Sequence, residues 1–376
     1  MKSKKIIIAG GTGFIGQELA RYFGKDNHVV ILSRKSVQSK NNRYSKKLLT
    51  AADGYNVTYW RWDGIHVEKH WAQEIDGSDI VINLAGKSVN CRYNQQNMQR
   101  IISSRVDATR VLGEAIRQAA KPPALMINAA SATIYRHAQD RPQDEYHGEI
   151  DPAKDQNMPY SFFDRCRRRW QRSIAAIRHG KDSAAYKKTE LDFSVQVCVA
   201  WEKAMTEMVL PHTRKIIFRT AITLGKGGVM TPYYNLVKWA LGGQHGSGDQ
   251  MFSWVHIQDV CAAIEWSYDH REMEGVYNLS APYAVPNMAF MATLRRTTGH
   301  KIGLPAFKWM LEFGAALIGT ETELMLKSRW VYPTRLLETG FRFRYERVEN
   351  ALQNIVKQTP QSNYHLFPRT KVAANL

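Results

Sequence analysis

Ile6-Ile-Ile-Ala-Gly10-Gly-Thr-Gly13-Phe-Ile-Gly16 joins an apolar run to a helix-like stretch through glycines spaced G-x-x-G-x-x-G. Glycine at 10 permits a tight turn. Glycine at 13 lets a diphosphate come up against bare backbone, and glycine at 16 lets the helix start press on the strand. The free N–H groups of that helix start would face the phosphates. Gly10, Gly11, Thr12, Gly13, Phe14, Ile15 and Gly16 are therefore the residues expected to touch a dinucleotide. The competing reading is a glycine-rich turn that binds nothing. The place of the pattern, at the first strand–helix turn of an alternating chain, argues against it.

The second apolar run ends at Ser33-Arg34-Lys35, about 20 residues beyond the glycines. An acidic residue there would hold the 2′-hydroxyl of NAD, whereas an arginine accommodates the 2′-phosphate of NADP. Ser33 and Arg34 thus favour NADP over NAD, with a merely solvated basic face as the alternative. Asp63, after the third run, has two readings: a partner for the adenine amino group, or a turn aspartate.

These residues need a sheet to carry them, and the chain supplies one. Lys5–Ala9, His28–Ser33, Val57–Trp62, Asp79–Ala85 and Ala124–Ala130 are apolar runs of strand length. Phe14–Phe23 and Met98–Ala120 between them have helical spacing. Strand–helix alternation implies a parallel sheet with helices on both faces. A further helix is expected at Val195–Val209, a strand at Lys215–Leu224, and helices at Trp254–Tyr268, Asn287–Thr298 and Arg347–Lys357.

The chain has 376 residues and a formal net charge of +18, which favours anionic partners without choosing among them. No apolar run reaches the roughly 18–20 residues that span a bilayer. Four scattered cysteines (Cys91, Cys166, Cys198, Cys261) form no C-x-x-C pair, so a reducing cytoplasm is the expected compartment. Much of the excess charge lies in a polar insert at about 151–190, with Arg165, Arg167, Arg168, Arg169, Arg172 and Arg178. No helix-turn-helix, zinc-finger or RNP-like pattern accompanies it, so nucleic acid is not expected. His66-x-Glu68-x-His70 is too poor a cluster for a metal site.

The whole pattern resembles the short-chain dehydrogenase/reductase superfamily, in its extended, sugar-nucleotide-epimerase-like branch. Within that branch it is similar to the YfcH-like epimerase-family proteins, an atypical group. The resemblance rests on Gly10–Gly16, Asn83-Leu-Ala-Gly86, Ser104-Arg-Val-Asp-Ala-Thr109, Ser131-Ala-Thr-Ile-Tyr135, Ala200-Trp-Glu202, Arg219-Thr-Ala-Ile-Thr-Leu224, Gly242–Gly248 with Gln250, Ser253-Trp-Val-His-Ile257 with Asp259, and Pro333-Thr-Arg with Gly340-Phe-Arg-Phe. It implies that Leu84, Ala85 and Gly86 line the cofactor. Arg105 stands where extended relatives tend to carry Asn, and would hold cofactor phosphate or an anionic substrate.

The superfamily's proton relay uses Ser, Tyr and Lys, the last two as Tyr-x-x-x-Lys. Ser131 falls on the serine position. The Tyr and Lys positions fall on Cys198 and Glu202, so the usual relay is absent. A carboxylate raises a neighbour's pKa rather than lowering it. Glu202, Tyr135 and Thr133 remain as candidate proton carriers beside Ser131. For Glu202 the competing reading is a salt bridge to Arg105 or Arg219, and Cys198 reads most simply as a small buried hydrophobe. Tyr234-x-x-x-Lys238 lies too late in the chain for the catalytic helix. Gly242–Gly248 reads as a flexible loop, Asp259 as a helix N-terminal cap or dipole partner, and His256 as a packed histidine.

The expected fold is α/β: a Rossmann doubly wound parallel sheet with a smaller C-terminal α/β lobe. Residues 1–224 would form the NAD(P)-binding domain. Residues 225–358 would form the substrate lobe, with the 254–270 helix packing back on the first domain, and 359–376 a loose tail. The resemblance implies an NADP(H)-dependent oxidoreductase or epimerase-like protein acting on a small molecule of unassigned identity, for which the basic composition allows an anion. Its alternative is a non-catalytic NADP(H)-binding regulator. A homodimer is the expectation by analogy.

Overall fold

The computed structural model describes residues 1–34, 49, 51–89, 91, 93–150, 192–305 and 327–366. The basic insert and Lys35 lie outside these. Seven strands form one sheet in which every pairing is parallel: β1 (Lys5–Ala9), β2 (His28–Ser33), β3 (Val57–Arg61), β4 (Ile80–Asn83), β5 (Leu125–Ser131), β6 (Arg214–Thr220) and β10 (Gly275–Leu279). The order is β10-β6-β5-β4-β1-β2-β3, so the sheet winds outward both ways from β1 and β4.

Period-two alternation sorts the strand residues onto two faces. Ile6, Ile8, Val29, Ile31, Ile80, Ile82, Leu125 and Ile127 face one core. It is covered by α1 (Phe14–Phe23) and by α6 (Ile257–Asp269). Ile7, Val30, Leu32, Val81, Met126 and Ile217 face the other. It is covered by α3 (Gln95–Gln118) and, through Met205, by α4 (Phe193–Thr206); Trp71 of α2 (Lys69–Ala72) also packs there. Burial on both faces explains why these strands read as unbroken apolar runs. Each fully buried Ile, Leu or Val contributes about 1.5–3 kcal/mol.

The second unit is built from α5 (Met230–Lys238), β8 (Met251–Phe252), β11 (Val285–Pro286), α7 (Asn287–Thr298) and α9 (Val348–Lys357). Val348, Ala351, Leu352, Ile355 and Val356 form the apolar stripe of α9, in one core with Phe290, Met291 and Leu294 of α7. The short α8 (Thr334–Glu338) puts Leu336 into the core beneath the main sheet.

The structure departs from the sequence reading at four places. The run Lys215–Leu224 is two strands. After Thr220 the Ala221 amide donates to Leu279, and β7 (Ile222–Leu224) leaves the sheet to pair with β9 (Trp254–His256). The segment at Trp254–Tyr268 therefore begins as strand and turns helical only at Ile257, where His256 Nδ1 accepts the Gln258 amide as a cap. Beyond it the chain returns to the main sheet as β10, so residues past 224 also build the first domain. The expected loose tail is packed as far as it is described. Tyr364 is buried, its ring 5.6 Å from that of Tyr234, and Lys238 donates to the Ser362 carbonyl at 2.8 Å.

Asp259 is a clasp between the units rather than a helix cap. Its carboxylate accepts the amides of Arg344 (2.7 Å) and Tyr345 (3.1 Å). Burial pushes its pKa up to about 6 against the pull of those amides. The folded protein thus holds this proton where the unfolded chain has released it, and stability falls as pH rises from about 4 to about 6. We expect Asp259→Asn to remove that slope. Urea unfolding across this range should show the wild type losing up to about 3 kcal/mol relative to the variant. Parallel pH curves would show that Asp259 is not the group responsible.

Candidate functional site

Three segments meet at the carboxyl ends of the central strands: the turn after β1, the turn after β4 and the turn after β5. Gly10 has φ +76°, and a Cβ there would lie 2.9 Å from the Leu84 carbonyl and the Ala85 amide. A Cβ at Gly16 would lie 2.4 Å from the Gly11 Cα. The fold itself therefore requires glycine at both positions. Gly13 differs. Its φ of −75° suits any residue, and a Cβ there would meet nothing closer than the Gly10 carbonyl at 3.5 Å. Gly13 is exposed and stands at the N-cap of α1, with no side-chain cap on the helix and no acidic residue in its first turn. The Gly13 amide donates to the Gly10 carbonyl at 3.1 Å, and among the described residues no side chain caps the helix, so Gly11, Thr12, Gly13 and Ile15 border an uncapped helix start. Phe14 instead turns its ring onto Gly225 and Gly228, where a Cβ would lie 2.6 and 2.8 Å from it.

A buried polar ladder holds the second segment. Asn83 Nδ2 donates to Asn128 Oδ1 at 2.7 Å and to Thr109 Oγ1 at 3.0 Å, while Asn83 Oδ1 accepts the Ala85 amide at 3.0 Å. All three polar side chains are completely buried. This fixes Leu84, Ala85 and Gly86 beside the glycine turn. The Arg105 guanidinium lies against Gly86, with Cζ 3.0 Å from a Cβ built there.

At the ribose end, Ser33 is buried at the close of β2 and its carbonyl accepts the Trp62 amide at 3.1 Å. Arg34 is exposed. Asp63 adopts the full geometry of a turn aspartate. Its Oδ1 accepts the amides of Ile65 (2.7 Å) and His66 (2.9 Å), and its Oδ2 meets His66 Nδ1 at 2.6 Å. Burial opposes ionisation of Asp63, but those three bonds outweigh it and hold the pKa at about 2. His70 is likewise engaged, on the Arg61 carbonyl.

The third segment carries Ser131. Its Oγ accepts the Thr133 amide at 3.2 Å, capping the 3-10 turn Ala132–Ile134. Beneath it, Cys198 packs with Ala132, Ile134 and Ala221. Burial first, and then the Glu202 carboxylate, push the Cys198 thiol up to about 12. Glu202 is paired on β6. Both of its oxygens accept from Arg219, at 2.8 Å each. Arg219 also donates to the Tyr135 hydroxyl at 2.8 Å, and Tyr135 donates onward to Asn278 at 2.9 Å. Glu202 is 8% exposed and Tyr135 is 2% exposed, and burial raises the Tyr135 pKa despite Arg219. Neither is placed to hand a proton to a ligand in the cleft. The salt bridge at Glu202 is the one the sequence allowed with Arg219, not with Arg105.

Tyr234 and Lys238 belong to the second unit, facing Tyr364 and Ser362. The Gly242–Gly248 segment is stitched down. Gln250 donates to the His245 carbonyl at 2.9 Å, and the His245 amide to Asn287 at 2.8 Å. His245 is fully buried, its ring stacked on Tyr233, and burial lowers its pKa to about 4.

Sequence reasoning missed the wall opposite Ser131. Arg329 is buried, and its Nε donates to Thr133 Oγ1 at 3.0 Å. Lys327 lies 3.7 Å from Asp192 with both side chains buried. Nothing in the local spacing marks these residues, because their partners are more than 130 positions away.

Two outcomes should follow. Alkylation followed by mass spectrometry should label Cys91, which is partly exposed, and spare Cys198 and Cys261 until the protein unfolds. Glu202→Gln should destabilise by about 3–5 kcal/mol, because it strands the buried Arg219 charge. Native labelling of Cys198, or a stability unchanged by the substitution, would contradict this arrangement.

Comparison with known proteins agrees with the geometry. Residues 6–176 match the NAD dependent epimerase/dehydratase family, and residues 306–355 match DUF1731, a domain of unknown function. An epimerase family protein of Staphylococcus saprophyticus is 28% identical over 356 residues, spanning 94% of this chain and 99% of its own. The crystal structure of a human epimerase family protein with NADPH superposes with a TM-score of 0.69 at 22% identity, covering 94% of this chain and 99% of that one. A UDP-N-acetylglucosamine 4-epimerase from Methanobrevibacter ruminantium, in complex with UDP-N-acetylmuramic acid, gives 0.65 at 16% identity, covering 95% and 98%. With its seven-stranded parallel sheet and its glycine turn, the chain carries an NAD dependent epimerase/dehydratase region at 6–176 and a DUF1731 region at 306–355.

Proposed function

We propose that this protein binds NADP(H) across the turns after β1 and β4 and orients a substrate carbonyl or hydroxyl at Ser131, as an oxidoreductase or epimerase-like enzyme. One observation carries the dinucleotide reading: neither backbone angles nor packing requires glycine at 13. Its backbone angles are ordinary, and the space a methyl group would fill is open. A diphosphate seated on the Thr12–Gly16 amides accounts for it. Gly10 to Gly16 would hold the diphosphate, Leu84 to Gly86 the sugar side, and Arg34 the 2′-phosphate. The human neighbour solved with NADPH supports this choice of dinucleotide. When bound, such a cofactor supplies hydride exchange at its nicotinamide ring.

Ser131 suits the task of orienting the substrate oxygen. Its Oγ is held by the Thr133 amide, while its own proton has no recorded acceptor among the described residues. A specific observation also supports the second reading, a dinucleotide-binding regulator without turnover: Cys198, Glu202 and Tyr135 are all committed to packing and pairing. A panel of carbonyl substrates with NADPH separates the two readings. Oxidation of NADPH that disappears in Ser131→Ala supports the enzyme, and binding without turnover supports the regulator.

Gly13→Ala should cost at most about 1 kcal/mol of stability, as alanine at a helix N-cap does, and should weaken NADPH binding by about tenfold or more in calorimetry. Arg34→Ala should narrow the NADPH/NADH preference. Full binding by Gly13→Ala would remove the diphosphate from this turn, and an unchanged ratio in Arg34→Ala would remove the 2′-phosphate from Arg34.

A further inference from the structure

A serine hydroxyl by itself gives weak support to negative charge on a ligand oxygen, and the tyrosine and lysine that would assist it are absent. The ladder beneath the site shows what lies at the height of Ser131. Asn83 and Asn128 are in register on β4 and β5. Three residues further along, these chains reach Gly86 and Ser131. The helix α3 connects two parallel strands and must run back antiparallel to them. Thr109 on α3 stands level with the two asparagines, 3.0 Å from Asn83, and its hydroxyl donates to the Arg105 carbonyl at 2.8 Å. One turn back along α3, at the level of Gly86 and Ser131, is Arg105.

The Arg105 side chain is set like a ligand-binding group. Its guanidinium lies along Gly86 on one side, with Cζ 3.0 Å from a Cβ built there. On the other side is the Trp201 ring, with the centroid 5.0 Å away. Nη1 donates to the carbonyls of Lys87 (3.0 Å) and Ile101 (2.9 Å), which locks the plane. Among the described residues Nε and Nη2 have no acceptor, and no carboxylate pairs with Arg105. The acids on α4 and at its N-cap are committed elsewhere, Glu202 to Arg219 and Asp192 opposite Lys327. Trp201 is three residues on from Cys198, which packs against Ala132, the residue after Ser131. Arg105 and the turn that carries Ser131 thus flank the same stretch of α4, from Cys198 to Trp201.

We infer that Arg105 and Ser131 together form a two-donor seat for a negatively charged ligand oxygen, an oxyanion or a carboxylate, with Arg105 as the resident cation of the site. Arg329 is a positioning residue for it. Arg329 holds Thr133, and Thr133 holds Ser131. The inference rests on the dinucleotide reading only for the claim that this space is where a substrate reacts.

Acetate is the probe, because its planar carboxylate matches a guanidinium edge. Its binding is followed by saturation-transfer NMR on the full chain, with and without NADPH. NADPH affinity is measured separately by calorimetry. We expect wild type to bind acetate, Arg105→Gln to bind it about tenfold more weakly, Arg105→Lys to recover part of the loss, and any change in NADPH affinity to be smaller than the loss for acetate in both. Acetate binding by Arg105→Gln equal to that of wild type overturns the seat. So does a variant whose main loss is in NADPH affinity, since Arg105 would then be a cofactor ligand. Should Arg105→Gln fail to fold, Ser131→Ala carries the test: a several-fold loss upholds the seat and an unchanged affinity overturns it. Failure of wild type to bind NADPH would sink the dinucleotide reading alone, because the acetate titration without NADPH still decides the seat.

Discussion

The structure turns on how closely two backbones approach between β1 and β4. Gly10 is pressed so near the Leu84–Ala85 peptide that no side chain fits between them. The approach is possible because Gly10 takes a left-handed conformation that other residues rarely adopt. It is kept in place because Asn83 spends its carbonyl oxygen on the Ala85 amide and its amide nitrogen on Asn128 and Thr109. A buried polar ladder of this kind is costly unless complete, and here each member is satisfied. Its completeness brings the glycine turn, the Leu84–Gly86 turn and the Ser131 turn to a common level, with α3 locked beside them. A ligand that touches one of these turns is within reach of the others.

The same geometry explains the residues that stand where a proton relay would be expected. Positions 198 and 202 are one helical turn apart on α4, so they share the face that α4 presents to the 3-10 turn and to β6. Cys198 fills a small apolar gap there. Glu202 neutralises Arg219, which in turn fixes Tyr135 against Asn278 on the neighbouring strand. A lysine at 202 would face Arg219 across a buried space, and the repulsion would be prohibitive. The departure from the superfamily pattern is therefore a coupled set of residues. Glu202, Arg219, Tyr135 and Asn278 make one structural unit, and any chemistry must come from the groups above it.

Much of this was legible in the sequence, for physical reasons. Lys5–Ala9, Phe14–Phe23, His28–Ser33 and Asn287–Thr298 have the bounds read from the chain, because local periodicity and flanking breakers decide them. The glycine turn was legible for the same reason. What escaped depends on partners distant in the chain. Gly275–Leu279 is a strand only because β6 offers an edge, and its own five residues carry no strong pattern. Spacing could place Glu202 in a salt bridge but could not choose between Arg105 and Arg219, since that depends on which strand lies under α4. Arg329 and Lys327 carry no local signature at all.

The wall that carries Arg329 argues for a site built rigid. Ser328 donates to the Ala138 carbonyl at 2.6 Å and accepts the Met251 amide at 2.8 Å. The Arg329 carbonyl accepts both the amide (3.1 Å) and the hydroxyl (2.7 Å) of Ser253, whose oxygen accepts the Val331 amide at 2.8 Å. Trp330 and Tyr332 bond to both sides of the Gln143 backbone. Residues 328–332 are thus sewn on one edge to the segment after β5 and on the other to the second unit. A hinge needs few such bonds, since local opening is easy only where backbone hydrogen bonds are sparse or wet. Here they are dense and buried, so Arg329, Thr133 and Ser131 hold their positions before any ligand arrives. That preorganisation makes a fixed cation and a fixed hydroxyl effective toward charge on a ligand, because no ordering remains to be done when the ligand binds.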